Sequence, residues 1–234
     1  MDKFCYTGWL VLVDIDERFM LQHDAGRVAL NIADHFALRI ICGELDCGAP
    51  LREMALTREY QVGLSSVREA VSVLQRRYAV DIFPYPSVQF RVLTVQNIQD
   101  LYDLSTELYI LLGALLAQSW HTERQLLVLL KLRRAMQSNI EGFTRQCFSI
   151  IAVAVLAVQN LYLEEVLVHM IPAVRRTYYL AFQQRGAKME RFVRIFVQLL
   201  LAVQGRRIDE IRLLLQDHTQ RNCQLVLHAL PRER

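Results

Sequence analysis

Apolar residues recur at helical spacing through almost all of residues 95–230, and this periodicity constrains the fold more than any other feature. Six amphipathic helices account for it, joined by short loops of the kind that connect antiparallel neighbours. Their predicted bounds are 97–119, 122–138, 142–158, 161–182, 189–204 and 208–230. Pro172 falls inside the fourth helix and predicts a kink or an early break. The second half of the chain is therefore predicted to be an all-helical antiparallel bundle.

Composition limits the functions that such a chain can have. The 234 residues carry 27 Lys and Arg against 24 Asp and Glu, a net charge of +3, so the chain as a whole is no strong polyanion binder. Five cysteines include no C-x-x-C pair, which favours reduced thiols over disulfides or a zinc ribbon. The apolar runs 8–13 and 150–158 are too short for a membrane span. We therefore expect a cytoplasmic protein with no membrane partner.

Residues 25–94 have a different pattern, in which short helices precede two segments of strand-like composition. Three helices are predicted, at 25–42, at 51–60 and from about 65 to 78, and two strands follow, at 81–83 and 88–92. Gly43 is expected to end the first helix in a left-handed conformation. Gly63 is expected to take a positive φ in the next turn, and Ser65 or Ser66 to cap the third helix. Helix, helix, turn, helix and hairpin is the order of a winged helix-turn-helix.

These patterns divide the chain into three segments. Residues 1–22 form an N-terminal extension to which we assign no role, 23–94 a winged helix-turn-helix, and 95–230 a helical bundle. The sequence contains no P-loop, no G-x-S-x-G, no G-x-G-x-x-G and no H-E-x-x-H motif. We therefore predict that the protein is not an enzyme, and we propose no catalytic residue.

The run at 51–71, LREMALTREYQVGLSSVREAV, resembles the helix-turn-helix of the GntR family of transcriptional regulators. That family reads approximately L-x-E-x-x-L-A-x-x-x-x-V-S-R-T-P-V-R-E-A-L. The matches occur without a gap at Leu51, Glu53, Leu56, Val62, Val67, Arg68, Glu69 and Ala70. An all-helical second half of this length is similar to the FadR subgroup and its FCD effector domain. The resemblance implies a sequence-specific DNA-binding regulator, repressor or activator, whose bundle binds an effector and forms a homodimer.

The resemblance also implies how DNA would be bound. The helix that begins near Leu64 would lie in the major groove, where Ser65, Ser66 and the first backbone N–H groups bind phosphate. Arg68, one turn further on, would bridge a phosphate or bind guanine with two hydrogen bonds. The full predicted DNA-binding set is Arg52, Leu64, Ser65, Ser66, Arg68 and, on the wing, Gln89 and Arg91. Two such heads would read a near-palindromic operator.

Departures from the family pattern weaken the expected contact with DNA. The family's main basic residue in this turn is replaced by Leu64. An alternative role for Leu64 is contact with a thymine methyl group. A second basic residue of the family is replaced by Met54. Residues 25–94 carry 8 basic and 7 acidic side chains, whereas duplex readers usually concentrate positive charge. Arg76 and Arg77 are further candidates for contact with the DNA backbone. The alternative function is a degenerate family member with weak or lost DNA binding, acting as a dimeric protein-interaction module.

The effector pocket departs from the family as well. Many FCD domains hold a divalent metal ion with one Asp and three His, but the matching positions here are Arg145, Ser149, Phe196 and His218. The subgroup's frequent Arg in the opening helix is replaced by Ser105. One His does not hold a metal ion in an apolar pocket, so we predict no metal site and no cofactor. The candidate pocket residues are Ser105, Ser149, Phe196 and His218, with either an apolar small-molecule effector or none. A histidine on an apolar stripe is more often a hydrogen-bonded core residue than a ligand, and we favour that interpretation for His218.

Overall fold

A computed structural model describes residues 25–45, 50–77, 79–82, 88–119, 123–183 and 189–230. Within these ranges the chain forms nine helices and three short strands. They make up two compact units. The head consists of the residues up to Leu93 together with Val168–Arg176, and the bundle consists of Thr94–Leu167 and Thr177–Arg234. The predicted fold class is confirmed: the chain is mainly helical, with a winged helix-turn-helix followed by an all-helical domain.

The head contains three helices and a small antiparallel sheet. Its elements are α1 (Ala25–Ile41), β1 (Pro50–Leu51), α2 (Glu53–Tyr60), α3 (Leu64–Arg76), β2 (Val80–Ile82) and β3 (Val88–Phe90). Strand β3 is central, so that Gln89 lies opposite Pro50 on one side and Asp81 on the other. We call the β2–β3 hairpin the wing; its connection, 83–87, lies outside the described residues.

The start of α2 differs from the prediction. Pro50 and Leu51 do not begin the helix but form strand β1, because they pair with Gln89 and Val88 of the wing. Long-range pairing with a later strand therefore overrides the local helical pattern. The end of α1 is as predicted, since Gly43 has a φ of +72°.

The turn between α2 and α3 also differs from the prediction. Gly63 has an ordinary φ of −68°, and the left-handed residue is Gln61, with a φ of 53°. The backbone N–H of Gln61 donates to the carbonyl of Thr57, which ends α2. Gly63 is the N-cap of α3 and provides no side-chain bond, so Ser65 and Ser66 lie in the first turn rather than at the cap.

The interior of the head combines aromatic packing with one buried ion pair. Phe36 of α1 stacks on Phe90 with ring centroids 6.5 Å apart. Arg77, which follows α3, pairs with Asp34 of α1, and both side chains are almost fully buried. The prediction that Arg77 contacts DNA is wrong, because its guanidinium is already engaged inside the head.

The bundle contains the six predicted helices, each within two residues of its expected ends. They are α4 (Val95–Gln118), α5 (Glu123–Met136), α6 (Ile140–Val158), α7 (Leu161–Gln183), α8 (Met189–Gln204) and α9 (Ile208–Ala229). A capping box of Thr94 and Asn97 starts α4, and Asn139 caps α6 by accepting from the N–H of Gly142. Helix α7 continues through Pro172, so the predicted early break does not occur. Its segment Val168–Arg176 belongs to the head.

Three kinds of contact hold the bundle together. Gly113 allows α4 and α9 to approach closely, since a Cβ atom there would lie 2.6 Å from Cγ2 of Ile211. An aromatic cluster packs nearby in the interior, with Phe182 and Phe192 ring centroids 4.4 Å apart. Buried polar groups bond one another, and the Tyr102 hydroxyl lies 2.8 Å from Oγ1 of Thr177.

Helix α6 is the one described helix that is long and apolar enough to cross a membrane. It has 19 residues, and half of its most apolar window is buried in the protein. A core helix of a bundle has the same length and composition, so this feature is weak evidence for a membrane span.

Candidate nucleic-acid interface and bundle cavity

Helix α3 separates an apolar face from a polar one. Its buried residues are Val67, Ala70, Val71, Val73 and Leu74. Ser65 and Arg68 are exposed, and Leu64 and Ser66 are partly exposed. The first N–H groups of a helix have no partner within that helix and carry the positive end of its dipole. The start of α3 therefore presents backbone donors, two hydroxyl groups and one guanidinium on the same exposed turn and the next.

Arg68 is positioned by an acidic residue of the preceding helix. Its Nε atom lies 3.2 Å from Oε2 of Glu53, and the Arg68 side chain is 58% exposed. Within the described part of the chain, Nε is the only guanidinium nitrogen so engaged, which leaves the two terminal nitrogens for another acceptor. Arg52 directly precedes Glu53 and is exposed, as is Met54. An exposed ion pair of this kind contributes little to stability, so its main effect is on the position of the guanidinium.

The two predicted wing residues lie away from the wing's connection. Gln89 is half-buried in the central strand β3. Arg91 follows β3 at the base of the wing, where its N–H donates to the carbonyl of Ala79 at 3.1 Å. The carbonyl of Arg91 accepts a hydrogen bond of 2.7 Å from Nη1 of Arg176. The two residues predicted from the sequence thus lie in the central strand and at the base of the wing. The β2–β3 connection, 83–87, lies outside the described residues.

The bundle contains a cavity of about 120 Å³, which we call the bundle cavity. Its lining is mostly aliphatic, drawn mainly from α4, α6, α8 and α9. Two predicted pocket residues, Phe196 and His218, line it. The other two do not: the hydroxyl of Ser105 donates to the carbonyl of Tyr102 at 3.3 Å, and that of Ser149 to the carbonyl of Gln146 at 2.8 Å. Both serines are thus used within their own helices.

His218 is a hydrogen-bonded histidine of the core. Its Nε2 atom lies 2.9 Å from the hydroxyl of Tyr178, and its ring packs against Phe192 with centroids 4.8 Å apart. Burial lowers the pKa of His218 to about 4; the positive charge of Arg191 lowers it further, and Asp217 opposes the shift. The imidazole is therefore neutral near pH 7.

The residues of the bundle cavity do not fit the metal site that the FCD resemblance implies. Among the described residues no group of three or more His, Cys, Asp and Glu side chains is placed to share an ion. Among the described residues that line the bundle cavity, only His218 belongs to these four residue types. Its Nε2 atom is hydrogen-bonded to the hydroxyl of Tyr178. A stable divalent site needs several such ligands.

Tyr109 is a lining residue that sequence reasoning missed. Its hydroxyl oxygen is buried and has no hydrogen-bond partner among the described residues. Burial raises the pKa of this phenol well above its usual value, so it keeps its proton. A signal was present in the sequence: Tyr109 lies one helical turn after Ser105, on a face of α4 that is otherwise mostly apolar.

Comparison with known proteins agrees with this geometry. Residues 28–85, which span the helix-turn-helix and strand β2 of the wing, match the family described as "Bacterial regulatory proteins, gntR family". The head of this chain therefore has a GntR-type helix-turn-helix domain. Members of the matched family are described as bacterial regulatory proteins. No curated protein sequence matches this chain.

Several solved structures are similar in fold to this chain. Escherichia coli McbR/YncC has a TM-score of 0.71 at 16% identity, covering 88% of this chain and 99% of that one. A GntR regulator of Rhodococcus sp. RHA1 has a TM-score of 0.68 at 16% identity, covering 87% and 99%. Lar, which controls expression of the Listeria monocytogenes agr system, has a TM-score of 0.56 at 13% identity, covering 89% and 99%. At these identities the likeness establishes the fold alone.

Proposed function

We propose that this GntR-family protein is a cytoplasmic homodimer that binds a specific operator through α3 and the wing. A small molecule in the bundle cavity controls its affinity for that operator, either as a repressor or as an activator. The observation that carries the proposal is the exposed first turn of α3, with Arg68 held beside it by Glu53. An apolar cavity in the attached bundle supports the effector.

The α3 surface favours a particular division of roles. The N–H groups of the first turn, with Ser65 and Ser66, bind a phosphate, because donors and the positive end of the helix dipole coincide there. The free guanidinium nitrogens of Arg68 bind a second phosphate or the O6 and N7 atoms of guanine. Leu64 contacts a thymine methyl group. Arg52 and the wing residues Gln89 and Arg91 complete the interface.

The weak positive charge of a single head favours a homodimer, because two heads contact more DNA phosphates than one. With a net charge near +1, one head neutralises few phosphates, and two heads double that number. Exposed apolar side chains on α5 support an interface between bundles, since large apolar patches mark interaction surfaces; they are Leu126, Leu127, Leu129 and Leu130. Sedimentation equilibrium should give twice the chain mass of 27.2 kDa.

Helix α7 offers a covalent route from the bundle cavity to the wing. Tyr178 bonds His218 in the cavity lining, and Arg176, two residues earlier, holds the carbonyl of Arg91. A ligand that moves Tyr178 would act on the same helix that bonds the base of the wing. This continuity supports control of operator binding by an effector.

Duplex binding by the Arg68→Ala variant tests the DNA-binding role. Fluorescence anisotropy with a duplex from upstream of the protein's own gene should show at least about tenfold weaker binding and a shallower salt dependence. The matched control is Arg212→Ala, which removes an equally exposed arginine, paired with Glu107, from the bundle surface. Full affinity in Arg68→Ala would remove the proposed contact. A wild-type protein with no salt-dependent duplex affinity would instead favour the protein-interaction module.

A further inference from the structure

We infer that two copies of this chain pair through a row of leucines on α4, with the two α4 helices antiparallel. The row, which we call the leucine seam, consists of Leu101, Leu104, Leu108, Leu111 and Leu115. The inference rests on the proposed homodimer. It goes beyond that proposal by naming the helix that sets the pairing, its direction in the second copy and the residues that meet.

The leucine seam has the spacing of a coiled-coil helix. Its members follow one another at intervals of three, four, three and four residues, from Leu101 to Leu115. At about 100° per residue, they lie within about 80° of the helix circumference, in one row along α4. Two helices with this heptad spacing pack side by side, because each leucine inserts between side chains of the other helix. The row therefore fits a second helix with the same spacing.

The leucine seam is accessible in a single copy. Leu104 and Leu111 are 53% and 46% exposed, and the other three leucines are partly exposed. A different face of α4 enters the core of the bundle, where Ile98, Tyr102 and Leu112 are buried. Large apolar side chains that stay exposed in one regular row mark an interaction surface.

The charges of α4 favour a second copy in the antiparallel direction. Asp100, Asp103 and Glu107 are exposed in the first half of the helix, whereas residues 108–118 carry no charged side chain. Arg212 lies 4.0 Å from Glu107, and this exposed contact offsets little of the negative charge. A parallel copy would bring the acidic residues beside their own equivalents, which is unfavourable. An antiparallel copy places each acidic half beside an uncharged half.

The register follows from the two rows of the leucine seam. They are Leu101, Leu108 and Leu115 in one row and Leu104 and Leu111 in the other. In an antiparallel pair, a leucine of one row meets a leucine of the other row across the seam. If Leu104 met Leu108 of the second copy, the two Glu107 residues would lie only about 3 Å apart along the axis. If Leu104 meets Leu115 and Leu108 meets Leu111, that separation grows to about 7 Å, so we infer the second register.

The exposed leucines of α5 do not have this order. Leu126, Leu127, Leu129 and Leu130 are spread over about 160° of that helix, twice the width of the leucine seam. Such a patch extends an interface without fixing how two helices align. The row on α4 therefore decides the alignment of the two copies.

Two charge variants test the surface. Leu104→Glu with Leu111→Glu puts two carboxylates into the leucine seam, and the fold should be kept because both positions are exposed in a single copy. Sedimentation equilibrium should show a dimer dissociation constant raised at least about a hundredfold, with an unchanged circular dichroism spectrum. The matched control is Leu201→Glu with Leu213→Glu, which changes two comparably exposed leucines of α8 and α9 and should stay dimeric.

A double cysteine variant tests direction and register. Leu104→Cys with Leu115→Cys should give a disulfide-linked dimer on mild oxidation, because position 104 of one copy faces position 115 of the other. Either substitution alone should give no link, since each position then lies roughly 16 Å from its own equivalent. A parallel pair would instead link both single variants. Mass mapping after cleavage at Glu107 distinguishes the 104–115 bond from links through the five native cysteines.

The outcomes separate this inference from the proposed homodimer. A wild-type chain that sediments as a monomer would refute both. A dimer that survives Leu104→Glu with Leu111→Glu, and is lost only in Leu126→Glu with Leu130→Glu, would keep the homodimer and overturn the leucine seam. A dimer in which the 104–115 bond does not form would overturn the antiparallel register.

Discussion

The head and the bundle treat buried polar groups in opposite ways. In the head, two opposite charges, Asp34 and Arg77, are buried against each other, and the groups suited to DNA lie on the surface. In the bundle, the polar side chains that line the cavity are neutral near pH 7, and the buried hydroxyl of Tyr109 has no partner among the described residues. The comparison shows that the groups that distinguish the head lie on its surface, whereas those that distinguish the bundle lie around an internal apolar cavity.

The largest expected effect on stability concerns the buried ion pair of the head. Asp34→Ala leaves Arg77 buried without its partner, which should cost about 3–5 kcal/mol of unfolding free energy. Urea denaturation followed by circular dichroism measures the loss. The control is the double variant Asp34→Ala with Arg77→Met, which removes both charges and should recover most of the stability. A loss below about 1 kcal/mol in the single variant would show that the pair does not hold α1 against the end of α3.

A pH titration of stability tests the neutral state of His218 in the lining of the bundle cavity. The pKa of His218 falls from 6.5 in the unfolded chain to about 4 in the folded protein, so between these values the unfolded state binds more protons. This contribution to stability is fully present above pH 6.5 and is lost as the pH falls towards 4, amounting to about 3 kcal/mol.

Two histidine variants on α9 test whether His218 causes this loss of stability at acid pH. His218→Gln should flatten the stability profile between pH 6.5 and 4. His228→Gln removes an exposed histidine of the same helix and should leave the profile unchanged. An unchanged profile in His218→Gln would show that other groups cause the acid sensitivity.

Two glycine substitutions compare the packing of the two units. A Cβ atom at Gly113 would meet Ile211 at 2.6 Å, so Gly113→Ala should cost about 1–3 kcal/mol by forcing α4 and α9 apart. At Gly63 in the head, a Cβ atom would meet nothing closer than 3.7 Å, and the φ is ordinary. Gly63→Ala should therefore cost less than about 1 kcal/mol, a loss that comes from Ala being a poorer N-cap than Gly rather than from packing. Thermal denaturation of both variants checks the contrast.

The smallest expected effect on stability concerns the head's surface. Glu53→Gln breaks the exposed pair with Arg68 and should cost less than about 1 kcal/mol. The same change removes a negative charge beside the DNA-binding turn, so duplex affinity should rise at low salt. Stability measured by urea and affinity by anisotropy would separate the two effects. Weaker duplex binding would mean that Glu53 positions Arg68 more than it repels phosphate.

Local sequence pattern predicted the helices well and the turns poorly. The bounds of the bundle helices follow from apolar spacing, which depends on residues within a few turns of each other. Gly63 and Gln61 show the limit of this reasoning, because glycine allows a left-handed conformation without requiring it. The structure places that conformation at Gln61, where α2 ends.

The candidate DNA-binding residues show the same limit of reasoning from local sequence. Arg68 was identified correctly as an exposed residue of α3, since the apolar stripe of that helix leaves its position outside the core. Arg76 and Arg77 are adjacent and chemically identical, and nothing in their spacing shows that one is exposed and the other buried. The position of Asp34 on α1 separates them, and that contact joins residues 43 positions apart.

The amino-acid order was sufficient to establish a winged helix-turn-helix followed by a bundle, because hydrophobic period and turn chemistry act over short stretches of chain. It was also sufficient to recognise the GntR-type helix-turn-helix, which the family model matches at residues 28–85. The bundle cavity, the partner of Arg77 and the unpartnered hydroxyl of Tyr109 emerged only when the helices packed. Burial and empty space depend on several distant segments at once, and no single stretch of the chain contains that information.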